Sequence, residues 1–176
     1  MYIWIGCKLP ECFEQDIRQK CLSLNEGVGL STVAFSLPQH ISLKISFTTE
    51  RPDAVLADLT HFLMAQTAFT VQIKGIEQTG NILWMSVAEN KHLQQLHEQL
   101  DAHLSFHFGI TQHEFDKCFL FHSTLFMDSN PEKIAKMAEL LAGHMADQEL
   151  CVNTFLLGVS ETGKPGDYRI VREIII

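Results

Sequence analysis

The sequence predicts an α+β fold of two lobes, each an antiparallel sheet with flanking helices, related by a rough two-fold axis about a groove. Three observations predict it. The stretch HISLKISF, residues 40–47, alternates polar and apolar side chains without a fault, the period of a strand with one buried face. Two stripes of helical period begin on prolines, Pro52 and Pro131. Short segments also return at nearly one offset: GIEQTG at Gly75 as GVSETG at Gly158, 83 residues on; IWI at Ile3 as LWM at Leu83, 80 on; His40 as His122, 82 on. Three such echoes point to a duplicated unit, with residues 1–176 forming one bilobal domain.

The elements follow in order. Residues 2–7 read as a strand and 9–24 as a helix, with Gly27, Gly29 and Ser31 marking a loop before the His40 strand. Residues 50–66 carry apolar side chains at Val55, Leu56, Leu59, Phe62 and Leu63, a helical stripe. Residues 69–87 read as two strands about a turn at Gly80-Asn81, followed by a histidine-rich helix over 90–108. Residues 118–127 read as a strand, and Asn130 caps the helix that starts at Pro131. A closing pair of strands, about 150–159 and 167–175, flanks the turn GKPGD.

Composition narrows the function. The chain of 176 residues is 46% hydrophobic and 19% charged, an ordinary globular balance. A net charge of −8 argues against a general basic surface for gripping long nucleic acid or DNA, while leaving room for a small phosphorylated ligand held by local donors. Five cysteines without metal-type spacing read as reduced thiols, and no apolar run reaches membrane length. The expectation is a cytoplasmic monomer.

The polar face of the His40 strand pairs an imidazole with a hydroxyl: His40 and Ser42 share one side, and in the second copy His122 and Thr124 do the same. A two-fold axis would set the two pairs face to face across the groove. Two imidazoles can act as base and acid near neutrality, since an unperturbed histidine titrates near ~6.5. Neighbouring hydroxyls can hold non-bridging phosphoryl oxygens as charge develops on them. Such a site needs no metal or cofactor.

His40-Ile41-Ser42-Leu43 and His122-Ser123-Thr124-Leu125 resemble the paired His-hydrophobic-Thr/Ser-hydrophobic motifs of the two-histidine phosphoesterases, which include the bacterial 2′-5′ RNA ligases and the eukaryotic cyclic phosphodiesterases. The resemblance covers nearly the whole chain, through YRIVREIII. It implies metal-independent hydrolysis, or reversible ligation, of a 2′,3′-cyclic or 2′-5′ phosphodiester in a nucleotide or RNA end. His40 and His122 would be catalytic, and Ser42 and Thr124 would bind substrate. Ser123 departs from the motif's hydrophobic residue and is expected to cost packing rather than chemistry. The alternative from another class is a nucleotide- or RNA-end-binding module without turnover.

Other residues are weaker candidates. Tyr168 follows the turn TGKPGD and is a candidate substrate contact. Lys44 shares the expected face of His40 and could attract phosphate, with a solvated strand-end lysine as its simpler reading. Trp4 could stack on a base, with a core role as the default. His103 and His107 stand at i, i+4 on a helix, but no third ligand completes a metal motif, so a solvated helix surface is expected.

Overall fold

The computed structural model describes residues 1–176. Nine strands form two antiparallel sheets. The terminal sheet has the order β2-β1-β8-β9, where β1 is Tyr2–Lys8, β2 His40–Ser42, β8 Thr154–Ser160 and β9 Arg169–Ile175; β3 (Phe47–Thr48) pairs with the start of β1. The central sheet has the order β6-β5-β4-β7, where β4 is Phe69–Thr79, β5 Ile82–Val87, β6 His122–Met127 and β7 Gln148–Val152. The echoed segments occupy matching places. Trp4 and Trp84 lie on the second strand of each order, Gly158 and Gly75 on the third, and His40 and His122 on the first.

Strand alternation decides which face each side chain takes. In β1, Ile3, Ile5 and Cys7 are fully buried in the core, while Trp4, Gly6 and Lys8 take the opposite face. Four helices cover the core side. They are α1 (Glu11–Asn25), α2 (Pro52–Met64), α3 (Lys91–Phe108) and α4 (Pro131–Ala142). Each buries a stripe at helical spacing: Phe13, Ile17 and Cys21 in α1; Val55, Leu59 and Leu63 in α2; Leu93, Leu96, Leu100 and Leu104 in α3; Ile134, Met137 and Leu141 in α4. Helix α3 starts where the Asn90 side chain accepts from Leu93 N, and α4 where Asn130 accepts from Glu132 N and Lys133 N. One apolar cluster of 36 buried residues runs beneath both sheets, so the lobes share a core.

Three expectations about the strands are corrected. The stretch 40–47 is not one strand: β2 ends at Ser42 and the chain bends at Leu43-Lys44. The cause is Lys44, whose ammonium is drawn inward between Asp101 and Asp116, while Ile45 N donates to Asp116 Oδ1 at 2.9 Å. A buried ion cluster here overrides the alternation. The 118–127 strand begins only at His122, because Glu114–Cys118 forms a 3₁₀ turn with a His113–Asp116 capping box. The expected strand 150–159 is two strands in different sheets. β7 pairs with β4, β8 pairs with β1, and the chain crosses between lobes at Asn153.

Candidate active site

β2 and β6 are edge strands of their sheets, and they approach each other along the seam, with Cα atoms within 8 Å. A buried hydrogen bond joins them: Ser123 Oγ donates to Gln39 Oε1 at 2.9 Å. Ser123 therefore does not simply cost packing. It ties the strand of one motif to the residue before the other.

The seam brings the two motifs to one groove. His40 Nδ1 donates to the Pro38 carbonyl and His122 Nδ1 to the Leu120 carbonyl, each at 2.7 Å. A carbonyl only accepts, so each Nδ1 holds a proton and each Nε2 is the nitrogen left for chemistry. Both imidazoles favour the neutral form. Burial pushes His40 down to about 4, with the Pro38 carbonyl opposing and the nearby His122 adding to the lowering. Burial also lowers His122, opposed by the Leu120 carbonyl.

A tryptophan lies against each histidine. Trp4 meets His40 edge-on with ring centroids 4.3 Å apart, and Trp84 lies tilted over His122 at 4.9 Å. Trp4 Nε1 donates to Ser42 Oγ at 3.0 Å. A cavity of about 260 Å³ spans the lobes beside these groups, lined by Trp4, His40 and Tyr168 from one sheet and its loop and by Thr124 from the other. Its roof includes Gly166, whose φ of 89° suits glycine and whose Cβ would stand 2.8 Å from Val33 Cγ2. The buried Tyr168 hydroxyl has no partner in the protein, and neither does Trp84 Nε1. A buried polar group left unpaired calls for a ligand or water.

The structure thus brings His40, Thr124 and Tyr168 to one cavity, with Ser42 at its side under Trp4 and with His122 close enough to His40 for their charges to interact. Lys44 is not among them. It is 3% exposed and paired with Asp101 and, at 2.6 Å, with Asp116, so it is neither a solvated lysine nor a phosphate ligand. Trp4 belongs to the groove face rather than the core, and the IWI/LWM echo is the signal for it. Gln39 carries no signal, since its role depends on a strand from the other half of the chain.

His103 and His107 lie tilted at 4.4 Å far along α3; His103 Nε2 bonds Asp58 on α2 in a half-buried pair, while His107 is exposed, as a solvated helix surface requires. No three His, Cys, Asp or Glu side chains gather in a metal-binding arrangement. A second cleft, about 1150 Å³ between loops 44–51 and 108–116, shares only Ser46 with the histidine cavity and is lined by none of His40, Ser42, His122 and Thr124. No helix is long and apolar enough to cross a membrane.

Two edge-strand His-x-Ser/Thr motifs meeting at the seam between two antiparallel sheets are the arrangement of the two-histidine phosphoesterase superfamily. The solved structures that resemble the chain share this fold. They include the protein TT0787 of Thermus thermophilus, at a TM-score of 0.62 and 18% identity over 99% of this chain and 97% of that one. E. coli LigT complexed with NADP+ superposes with a TM-score of 0.62 and 16% identity over 99% and 96%. Kluyveromyces marxianus Usb1 superposes with a TM-score of 0.51 and 9% identity over 99% and 98%. No curated protein matches in sequence. Residues 31–163 match the model of the 2′-5′ RNA ligase superfamily, well over half of the chain, and the protein belongs to that superfamily.

Proposed function

We propose that the protein is a metal-independent phosphoesterase acting on a nucleotide or RNA-end phosphodiester, a 2′,3′-cyclic or 2′-5′ linkage, by hydrolysis or reversible ligation. The observation that carries this reading is the matched tether of the two histidines: each Nδ1 is tied to a carbonyl two residues upstream, leaving two Nε2 atoms for one groove. E. coli LigT is known in complex with 3′-AMP and with ATP, which supports a nucleotide-type ligand.

Each imidazole keeps its Nδ1 proton on a carbonyl and offers Nε2 to the groove. The neutral one takes a proton from water at Nε2 as the water oxygen attacks phosphorus, and the protonated one passes its Nε2–H to the leaving oxygen as the P–O bond breaks. In the ligation direction the two exchange roles. Ser42 and Thr124 donate to the non-bridging oxygens, and the unpaired Tyr168 hydroxyl supplies a further donor to the ligand.

The test is turnover of 2′,3′-cyclic nucleotides and 2′-5′ dinucleotides by the protein and by its His40→Ala and His122→Ala variants, in excess chelator. Each variant is expected to lose roughly 10²–10⁴-fold in rate while folding normally. Unchanged turnover in either variant, or abolition of wild-type turnover by chelator, refutes the two-histidine mechanism. Binding without turnover by the wild type would leave a binding module.

A further inference from the structure

Trp4 adds a residue to the site, on an argument that rests on the two-histidine reading. We propose that Trp4 is a positioning residue for phosphate binding: its indole N–H occupies one side of Ser42 Oγ and leaves the Ser42 hydrogen to point into the groove. A serine hydroxyl has one hydrogen and two lone pairs on a free rotor, and it readily turns to a local backbone acceptor. The indole nitrogen only donates. At 3.0 Å it takes a lone pair of Ser42 Oγ and cannot receive the hydrogen. The hydroxyl is thereby preset as a donor, which is the orientation an anionic phosphoryl oxygen needs.

The sheet is built around this indole. Gly6 stands directly opposite Ser42 in the β1–β2 register, and a Cβ on Gly6 would lie 2.5 Å from Trp4 Cζ2. Gly158 lies opposite Trp4 on β8, and its Cβ would lie 2.7 Å from Trp4 Cε3. Glycine weakens a strand interior, and two adjacent strands carry one where the ring lies flat. The same ring meets His40 edge-on, so one side chain touches both motif groups of its lobe.

The other lobe lacks the device. Trp84 itself stands opposite Thr124, so no glycine intervenes to let the ring reach across. Its Nε1 finds no partner. The two hydroxyls are therefore not equivalent: Ser42 is aimed in advance, whereas Thr124 orients on the ligand.

The decisive experiment is a double-mutant cycle of Trp4→Phe and Ser42→Ala, with kcat and KM read on a 2′,3′-cyclic nucleotide. Trp4→Phe keeps a ring over the glycines and removes the N–H. It is expected to lower kcat/KM roughly three- to tenfold, the scale of one hydrogen bond. That loss should vanish in the Ser42→Ala background, and an undiminished loss there overturns the proposal. A second measurement needs neither activity nor the Trp4 variant. The chain has two tryptophans, hence two indole N–H signals in a nitrogen-15 spectrum. Ser42→Ala should move the Trp4 signal and leave that of Trp84 in place; a Trp4 signal that stays put also overturns the proposal. If His40→Ala and His122→Ala retain full turnover, the two-histidine reading is what fails. If they abolish it while the cycle is additive, only the role of Trp4 fails.

Discussion

Lys44→Met removes a buried cation from between two buried carboxylates. The Lys44, Asp101 and Asp116 side chains are 2%, 9% and 0% exposed, so water cannot replace the lost partner. Breaking such a pair costs about 3–5 kcal/mol, because a charge is left uncompensated. For a chain of this size about 2–4 °C of Tm goes with each kcal/mol, so Tm at pH 7.5 should fall by roughly 6–20 °C. The sign of the pH dependence should change as well. Burial raises the Asp116 pKa, but the Lys44 ammonium and the N–H groups of Ile45 and His113 outweigh it and hold the group below the usual carboxylate range. A depressed pKa stabilises the fold above the unfolded value of about 3.9, and that stability is lost as pH falls through the folded value. Without Lys44, burial and the facing Asp101 favour the protonated acid. The variant should then gain stability, relative to wild type, as pH drops from 7.5 towards 5. Thermal melts of both proteins across that range provide the assay. An unchanged Tm at pH 7.5, or parallel pH profiles, would refute the reasoning.

Two further outcomes are expected. Two-histidine catalysis needs one imidazole neutral and the other protonated, so kcat/KM should peak at acidic pH, between the lowered pKa values of His40, about 4, and of His122, and decline above them. A bound phosphodiester anion favours the imidazolium, so the kcat optimum should lie at higher pH, with apparent values that belong to the pair. Rates measured from pH 4 to 9 check this, and kcat/KM that rises above pH 7 would contradict it. Ser123→Ala leaves the buried Gln39 Oε1 without its donor and should cost about 1–3 kcal/mol. Denaturant titration measures that loss, and a neutral result would mean that the seam bond contributes nothing.

The site is readable in the sequence wherever it depends on local alternation and on the repeat. His40 with Ser42 and His122 with Thr124 sit on edge strands of matching sheets because a period of two and an offset near 80 residues are both one-dimensional signals. Lys44 misleads for a physical reason. It has the right parity for the groove face, but its partners Asp101 and Asp116 lie 57 and 72 residues away. A single chain holds no local mark of that pairing. Asn153 likewise looks like an interior strand residue, since the switch from β4 to β1 as partner is a tertiary event. The histidine tautomers are hidden too, because they depend on the carbonyls of Pro38 and Leu120 curling back onto the rings.

The crossing at Asn153 has a consequence for how the groove comes into being. β1 pairs on one side with β2 and on the other with β8, whose residues follow it by about 150 positions. A nascent chain that has emerged only as far as β7 therefore holds both histidine motifs but lacks the strand that flanks β1. Trp4 then has no Gly158 to lie on, and the Tyr168 loop does not yet exist. Contacts of such long sequence separation form late and slowly. The groove is assembled only when the C-terminal hairpin of β8 and β9 zips onto the first strand. Synthesis thus delivers the assembled groove only once β8 and β9 have emerged, well after both histidine motifs have been made.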